Sequence, residues 1–178
     1  MRNLFTPWRY AYLSGSRRGK GCVFCKAAGS RDDASSLVVH RGRFNYIILN
    51  RFPYNNGHLM IVPYSHHGDL ARGTPAQLRE MLVLAARCEA ILKRVYRIDG
   101  LNLGMNLGSP AGAGVLGHLH LHLVPRWNGD TNFMTVVGGT RVTPEALEAT
   151  RAKLAPHFRP SRRNPRAHRK GRPGARRS

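Results

Sequence analysis

Acidic residues are scarce in this chain: nine Asp and Glu stand against twenty-nine Lys and Arg, a formal net charge of +20 over 178 residues. That imbalance favours an anionic partner. Long apolar runs are missing as well. The best, Met81 to Ala86, has six residues, against the roughly 18 that a membrane-spanning helix needs. The N-terminus, with Trp8, Arg9 and Tyr10, lacks the continuous apolar segment of a secretion signal, so the expectation is a cytoplasmic protein with no membrane partner. Only three cysteines are present. In a reducing compartment that number argues against a disulfide framework and leaves Cys22 and Cys25 as a candidate metal pair.

The positive charge is unevenly spread. From His157 to Ser178 there are nine Lys or Arg and no acidic residue, with several Pro and Gly among them. Such a segment cannot bury enough apolar surface to fold, so 157–178 is expected to be a disordered basic tail. The remainder, Met1 to Pro156, is the right length for one domain and still carries twenty basic against nine acidic residues. Its charge suits a polyphosphate substrate, and equally RNA or DNA bound without specificity.

Local patterns predict an α+β domain. Leu37 to His40 and Arg43 to Asn50 read as a hairpin turning at Arg41-Gly42, and His58 to Val62 as the next strand after the turn Pro53-Tyr54-Asn55-Asn56-Gly57. Thr74-Pro75-Ala76-Gln77 is a helix start, with Thr as N-cap, Pro at the first helical position and Gln three residues after the cap. Leu78, Met81, Leu82, Ala85, Cys88, Leu92 and Val95 then repeat at helical spacing, and Cys88 on that stripe reads as core. Leu101, Leu103 and Met105 alternate with Asn102, Gly104 and Asn106, which predicts a strand half-buried against that helix. Asn132 to Val137 reads as a further strand, and Thr143-Pro144-Glu145 opens a short helix to about Leu154. Trp127 reads as core or subunit interface.

Two features carry chemistry. Cys22-Val23-Phe24-Cys25 is a Cys-x-x-Cys turn, half of a zinc site that needs two more ligands. In His118-Leu119-His120-Leu121-His122-Leu123-Val124 the alternation puts three imidazoles on one face of a strand, about 6.7 Å apart, and three leucines on the other. By itself such a row is a solvated face, a plain metal site or a catalytic row. A glycine-rich segment, Gly108 to Gly117, precedes it and would let backbone N–H groups approach an anion.

The seven residues His118 to Val124 match, at every position, the His-φ-His-φ-His-φ-φ motif (φ apolar) of the histidine triad (HIT) nucleotide hydrolases and transferases. The resemblance runs from about Cys22 to Arg126. The stretch Trp127 to Leu154 is similar to the bacterial branch that includes diadenosine tetraphosphate phosphorylases. The resemblance implies a HIT-like fold, an antiparallel sheet of about five strands with one long and one short helix, and a homodimer. It implies that His120 attacks the α-phosphorus of an adenine (di)nucleotide, while His122, with His118 or His58 nearby, holds phosphate oxygens or the leaving group. Ile48 would contact the base and Asn50 the ribose hydroxyls, with His58, Asn106, Gly112 and Gly114 completing the substrate site.

No cofactor is implied for catalysis. Zinc-bearing members of the family hold a structural zinc with the equivalents of Cys22, Cys25, His66 and His118, and His67 could take the place of His66. Ala113 and Gly114 stand where several eukaryotic relatives carry Gln followed by Ser or Thr. Leu119, where hexose-1-phosphate uridylyltransferases carry Pro, argues against that branch. The resemblance leaves water or phosphate open as the second substrate, hence dinucleotide hydrolase, phosphoramidase or phosphorylase. A different class, a nucleic-acid-binding protein working through the basic tail, also fits the composition. A DNA-adenylate repair enzyme fits less well, since it usually brings a second Cys/His module.

Overall fold

The computed structural model describes residues 21–130 and 145–159. Within them the chain forms α1 (Val23–Gly29), β1 (Val38–Arg41), β2 (Asn45–Leu49), β3 (Leu59–Pro63), α2 (Pro75–Tyr96), β4 (Gly100–Gly104), β5 (Leu121–Arg126) and α3 (Leu147–Leu154), with short 3-10 turns at Leu70–Arg72 and Ala155–Phe158. The five strands make one antiparallel sheet in the order β1-β2-β3-β5-β4. The α+β reading with about five strands is therefore observed. The strand expected over 132–137 and nearly all of the basic tail lie outside the described residues, and the short helix begins at Leu147, with Ala146 at its N-cap, instead of opening at Thr143-Pro144-Glu145.

Register sorts the side chains onto two faces. Ile48 pairs with Met60, Met60 with His122 and His122 with Gly104, so these residues form one row across the sheet. Their neighbours Ile47, Leu59, Ile61, Leu121 and Leu123 point the other way and are buried. Helix α2 lies on that second face, against β2, β3 and β5. Met81, Leu84, Ala85, Cys88, Ile91 and Leu92 supply its packed stripe.

That stripe corrects the sequence reading in one respect. Leu84 and Ile91 are inside, whereas Leu82 is 66% exposed, because a residue next to Met81 is turned about 100° away from it. The start of α2 is as the sequence predicts: the Thr74 hydroxyl accepts from Gln77 N–H and the Gln77 side chain accepts from Thr74 N–H. Arg97, left-handed at φ 50°, ends the helix.

Four other expectations change. Cys22 to Cys25 is not a turn but the opening of α1, with Cys22 at the N-cap and Phe24 and Ala27 packed inward. Strand β2 begins at Asn45 rather than Arg43, because the Glu80 carboxylate accepts the backbone N–H groups of Arg43, Phe44 and Asn45 and holds them in a turn. Strand β4 is the edge of the described sheet, and Leu103, expected against α2, is half exposed. The apolar packing runs past Pro156: Phe158 is buried, stacks on His40 at 5.5 Å and lies under the Arg87 guanidinium.

Among the described residues no helix is long and apolar enough to cross a membrane.

Candidate active site

Histidines 118 and 120 sit just ahead of β5, which starts at Leu121. Strand β3 ends at Pro63, and the Leu119 N–H bonds to the His67 carbonyl at 2.6 Å instead of to a strand neighbour. The extended backbone nevertheless keeps the alternation, with Leu119, Leu121 and Leu123 buried. The three imidazoles therefore leave one face of the chain, but they do not share one task.

A cleft of about 880 Å³ crosses the sheet face opposite α2. Phe24 and Ala27 of α1, with Ile48 and Asn50, form one wall, and His120 and His122 stand further along, near Asn106, Gly112 and Gly114. Gly112 has φ 84°, a left-handed conformation that costs glycine little. Asn106 Nδ2 donates to the Gly112 carbonyl at 3.2 Å and so pins the glycine loop to the end of β4.

His120 Nδ1 lies 2.8 Å from the His118 carbonyl oxygen. A carbonyl only accepts, so Nδ1 carries the proton and Nε2 keeps its lone pair. Burial lowers the His120 pKa, partly offset by that carbonyl bond, so the ring stays neutral at ordinary pH.

His122 is held differently. The Tyr54 N–H donates to His58 Nδ1 at 3.1 Å, which leaves His58 Nε2 as the protonated nitrogen. That nitrogen is 3.0 Å from His122 Nδ1 and donates to it, so His122 carries its own proton on Nε2. His122 thus offers a donor where His120 offers an acceptor. Burial first, and then the neighbouring imidazoles, push His58 down to about 3 and His122 to about 4. The Tyr54 ring stacks on His58 at 4.9 Å and fixes its plane.

Two predicted site residues do not line the cleft. His58 lies behind His122 as its support, with 1% of its surface exposed. His118 turns its ring toward the cysteines: its Nε2 is 2.8 Å from the Pro63 carbonyl and its Nδ1 is 3.3 Å from Cys22 Sγ and 3.6 Å from Cys25 Sγ. Asn50 lies on the wall, its Oδ1 accepting the Phe52 N–H and its Nδ2 3.4 Å from His58 Nδ1.

The donor atoms of Cys22, Cys25, His66 and His118 all lie within 4.8 Å of one another. Two sulfurs and two imidazole nitrogens at that spacing suit a tetrahedral zinc ion. The Nε2–H of His118 on the Pro63 carbonyl leaves Nδ1 free to ligate, the usual outer support of a metal-bound histidine. His67 is not part of this group; its Nδ1 bonds to the Asp69 carbonyl at 3.0 Å. A side chain at position 117 would meet the His66 ring at 3.3 Å, so Gly117 lets the loop pass the cluster.

The sequence reading missed Phe24, whose ring lies 4.9 Å from that of His120 and 5.5 Å from that of His118. It also missed Val124 and Arg126, which line the cleft with Asn102. Carrying the alternation of 118, 120 and 122 two steps further would have found the first two.

The comparisons with known proteins agree with this fold. A family model described as the HIT domain matches residues 31–129. A Mycobacterium tuberculosis protein named AP-4-A phosphorylase is 39% identical over 162 residues, covering 87% of this chain and 83% of that protein. A zinc-bound histidine triad family protein from Mycobacterium smegmatis superposes with a TM-score of 0.64 at 27% identity, over 78% of this chain and 93% of that one. A hypothetical histidine triad nucleotide-binding protein from Sulfolobus tokodaii shares the fold at a TM-score of 0.60 and 24% identity, covering 77% of this chain and 91% of that one. With its three imidazoles spaced as the motif requires and its matched region spanning more than half its length, this chain belongs to the HIT domain family.

Proposed function

We propose that the chain is a nucleotidyltransferase that cleaves diadenosine tetraphosphate at an α-phosphate and passes the adenylyl group to orthophosphate, yielding ATP and ADP. The observation that carries this reading is the tautomer of His120: with Nδ1 tied to the His118 carbonyl, Nε2 is a neutral, aligned nucleophile on the cleft wall. A neutral nucleophile avoids repulsion by the phosphate oxygens, and a covalent intermediate splits the displacement into two easier steps.

In the first step His120 Nε2 bonds to the α-phosphorus while the bond from phosphorus to the bridging oxygen breaks, and ATP leaves. The His122 Nε2–H donates to that oxygen as its charge grows. Ile48 and Asn50 hold the nucleoside, and the glycine loop pinned by Asn106 supplies backbone donors to the phosphate oxygens. In the second step an orthophosphate oxygen attacks, the phosphorus–nitrogen bond breaks, and ADP leaves with His120 restored. The likeness to the mycobacterial phosphorylase over most of both chains favours phosphate over water as the acceptor.

A zinc ion on Cys22, Cys25, His66 and His118 would act as a structural clamp between α1 and the segment that carries His120. The exposed Leu82 and Val83 of α2 and the half-exposed Leu103 of the edge strand fit burial in a homodimer. Product analysis tests the reaction. Diadenosine tetraphosphate with phosphate should give ATP and ADP; ATP and AMP would mean hydrolysis, and no consumption would refute the reading.

A further inference from the structure

The cleft does not stop at His122. Along β5, Val124 and Arg126 share the face of His122, and on β4 Asn102 pairs with Val124. All three line the same cavity as Phe24 and Ile48, which lie across the histidines toward β1 and β2. His120 and His122 thus stand between two walls. A volume of about 880 Å³ is near the top of the roughly 300–1,000 Å³ range for small-molecule sites, which leaves room on the far side of the reacting phosphate.

The far wall carries a fixed guanidinium. Arg126 Nε and Nη2 donate to the Asp130 carboxylate at 2.5 and 2.7 Å, and Nη1 donates to Asn102 Oδ1 at 3.0 Å. Asp130 is itself held by Asn55 Nδ2 at 3.1 Å. Three of the five guanidinium donors are used in these bonds, so among the described residues two remain along with the faces of the plane, and the Arg126 side chain is 39% exposed. Asp130 cancels its charge, which makes it a poor clamp for phosphate and a good flat platform for a heteroaromatic ring. Arg126 stands four residues beyond His122, roughly 13 Å along the strand, which is where the distant end of a long leaving group would fall.

We propose that Arg126 and Asn102 form a second nucleoside subsite, in which the base of the departing nucleotide stacks on the Arg126 guanidinium and Asn102 meets its polar edge. This assignment rests on the proposed function and gives that function its preference for dinucleotides over compounds with small leaving groups.

The test compares two probes that deliver the same adenylyl group: diadenosine tetraphosphate, which loses ATP, and adenosine 5′-phosphoramidate, which loses ammonia. Arg126→Lys removes the plane while keeping a cation for Asp130, and Asn102→Ala removes the amide. Each should lower the ratio of kcat/KM for the dinucleotide to that for the phosphoramidate by about tenfold, the size of one lost base stack. An unchanged ratio in both variants, including an equal loss on the two probes from misfolding, would overturn the subsite. Turnover of the phosphoramidate alone by the unaltered protein would also overturn it. Turnover of neither would instead remove the reaction on which it rests.

Discussion

The carbonyl oxygen of His118 holds His120 Nδ1 at 2.8 Å while the His118 ring faces Cys22 and Cys25. One residue therefore joins the Cys22, Cys25, His66 and His118 group to His120, its ring serving the first and its backbone the second. Withdrawing zinc should loosen the segment that orients His120. Protein purified without chelator should contain about one zinc per chain, and Cys22→Ser should lose it and melt several degrees lower. Absence of zinc from the unaltered protein, by elemental analysis, would contradict this.

In the proposed function Asn50, on the cleft wall, holds the ribose. Asn50→Ala should raise KM for the dinucleotide about tenfold and change kcat little, as expected for a contact made equally in the ground and transition states. A fall in kcat at constant KM would place Asn50 in the chemistry instead.

His58 and His122 are kept neutral by burial, with pKa values near 3 and 4 against 6.5 for a free imidazole. The unfolded chain takes up these protons below pH 6.5 and the folded chain does not. The stability they hold is complete above that pH and is lost as pH falls toward 4, by up to about 1.4 kcal/mol per unit for each histidine. Melting temperature measured from pH 7.5 to 4.5 should decline, and His58→Gln should flatten the decline. A profile indifferent to that substitution would contradict the assignment.

Glu80 accepts three consecutive backbone N–H groups and the Asn45 amide. Glu80→Gln loses the charge that strengthens these bonds and should destabilise the domain by about 1–3 kcal/mol in denaturant unfolding. Because Glu80 lies outside the cleft lining, catalysis by the molecules that remain folded should persist.

Much of this architecture is legible in local sequence. The capping pair Thr74 and Gln77 signals α2, and the His/Leu alternation separates cleft from core, because both are one-dimensional patterns with a single geometric meaning. The division of labour within the row is not legible. Whether His118 faces the cleft or the cysteines depends on where β3 ends at Pro63 and where α1 places Cys22, and both are long-range facts. Phe24 escaped notice for a similar reason, since its role comes from α1 docking on the histidines. Leu82 misled because apolar spacing alone does not tell a core stripe from the exposed side of the same helix.

The most direct test is to trap the intermediate. The protein is mixed with diadenosine tetraphosphate without phosphate, quenched under alkaline conditions that preserve a phosphoramidate, and the peptide spanning 118–122 is read by mass spectrometry. An adenylyl group on His120 that disappears as ADP when phosphate is added is the predicted result, together with a loss of turnover on the order of a thousandfold or more in His120→Ala. An adduct on another residue, or an active His120→Ala protein, would contradict it.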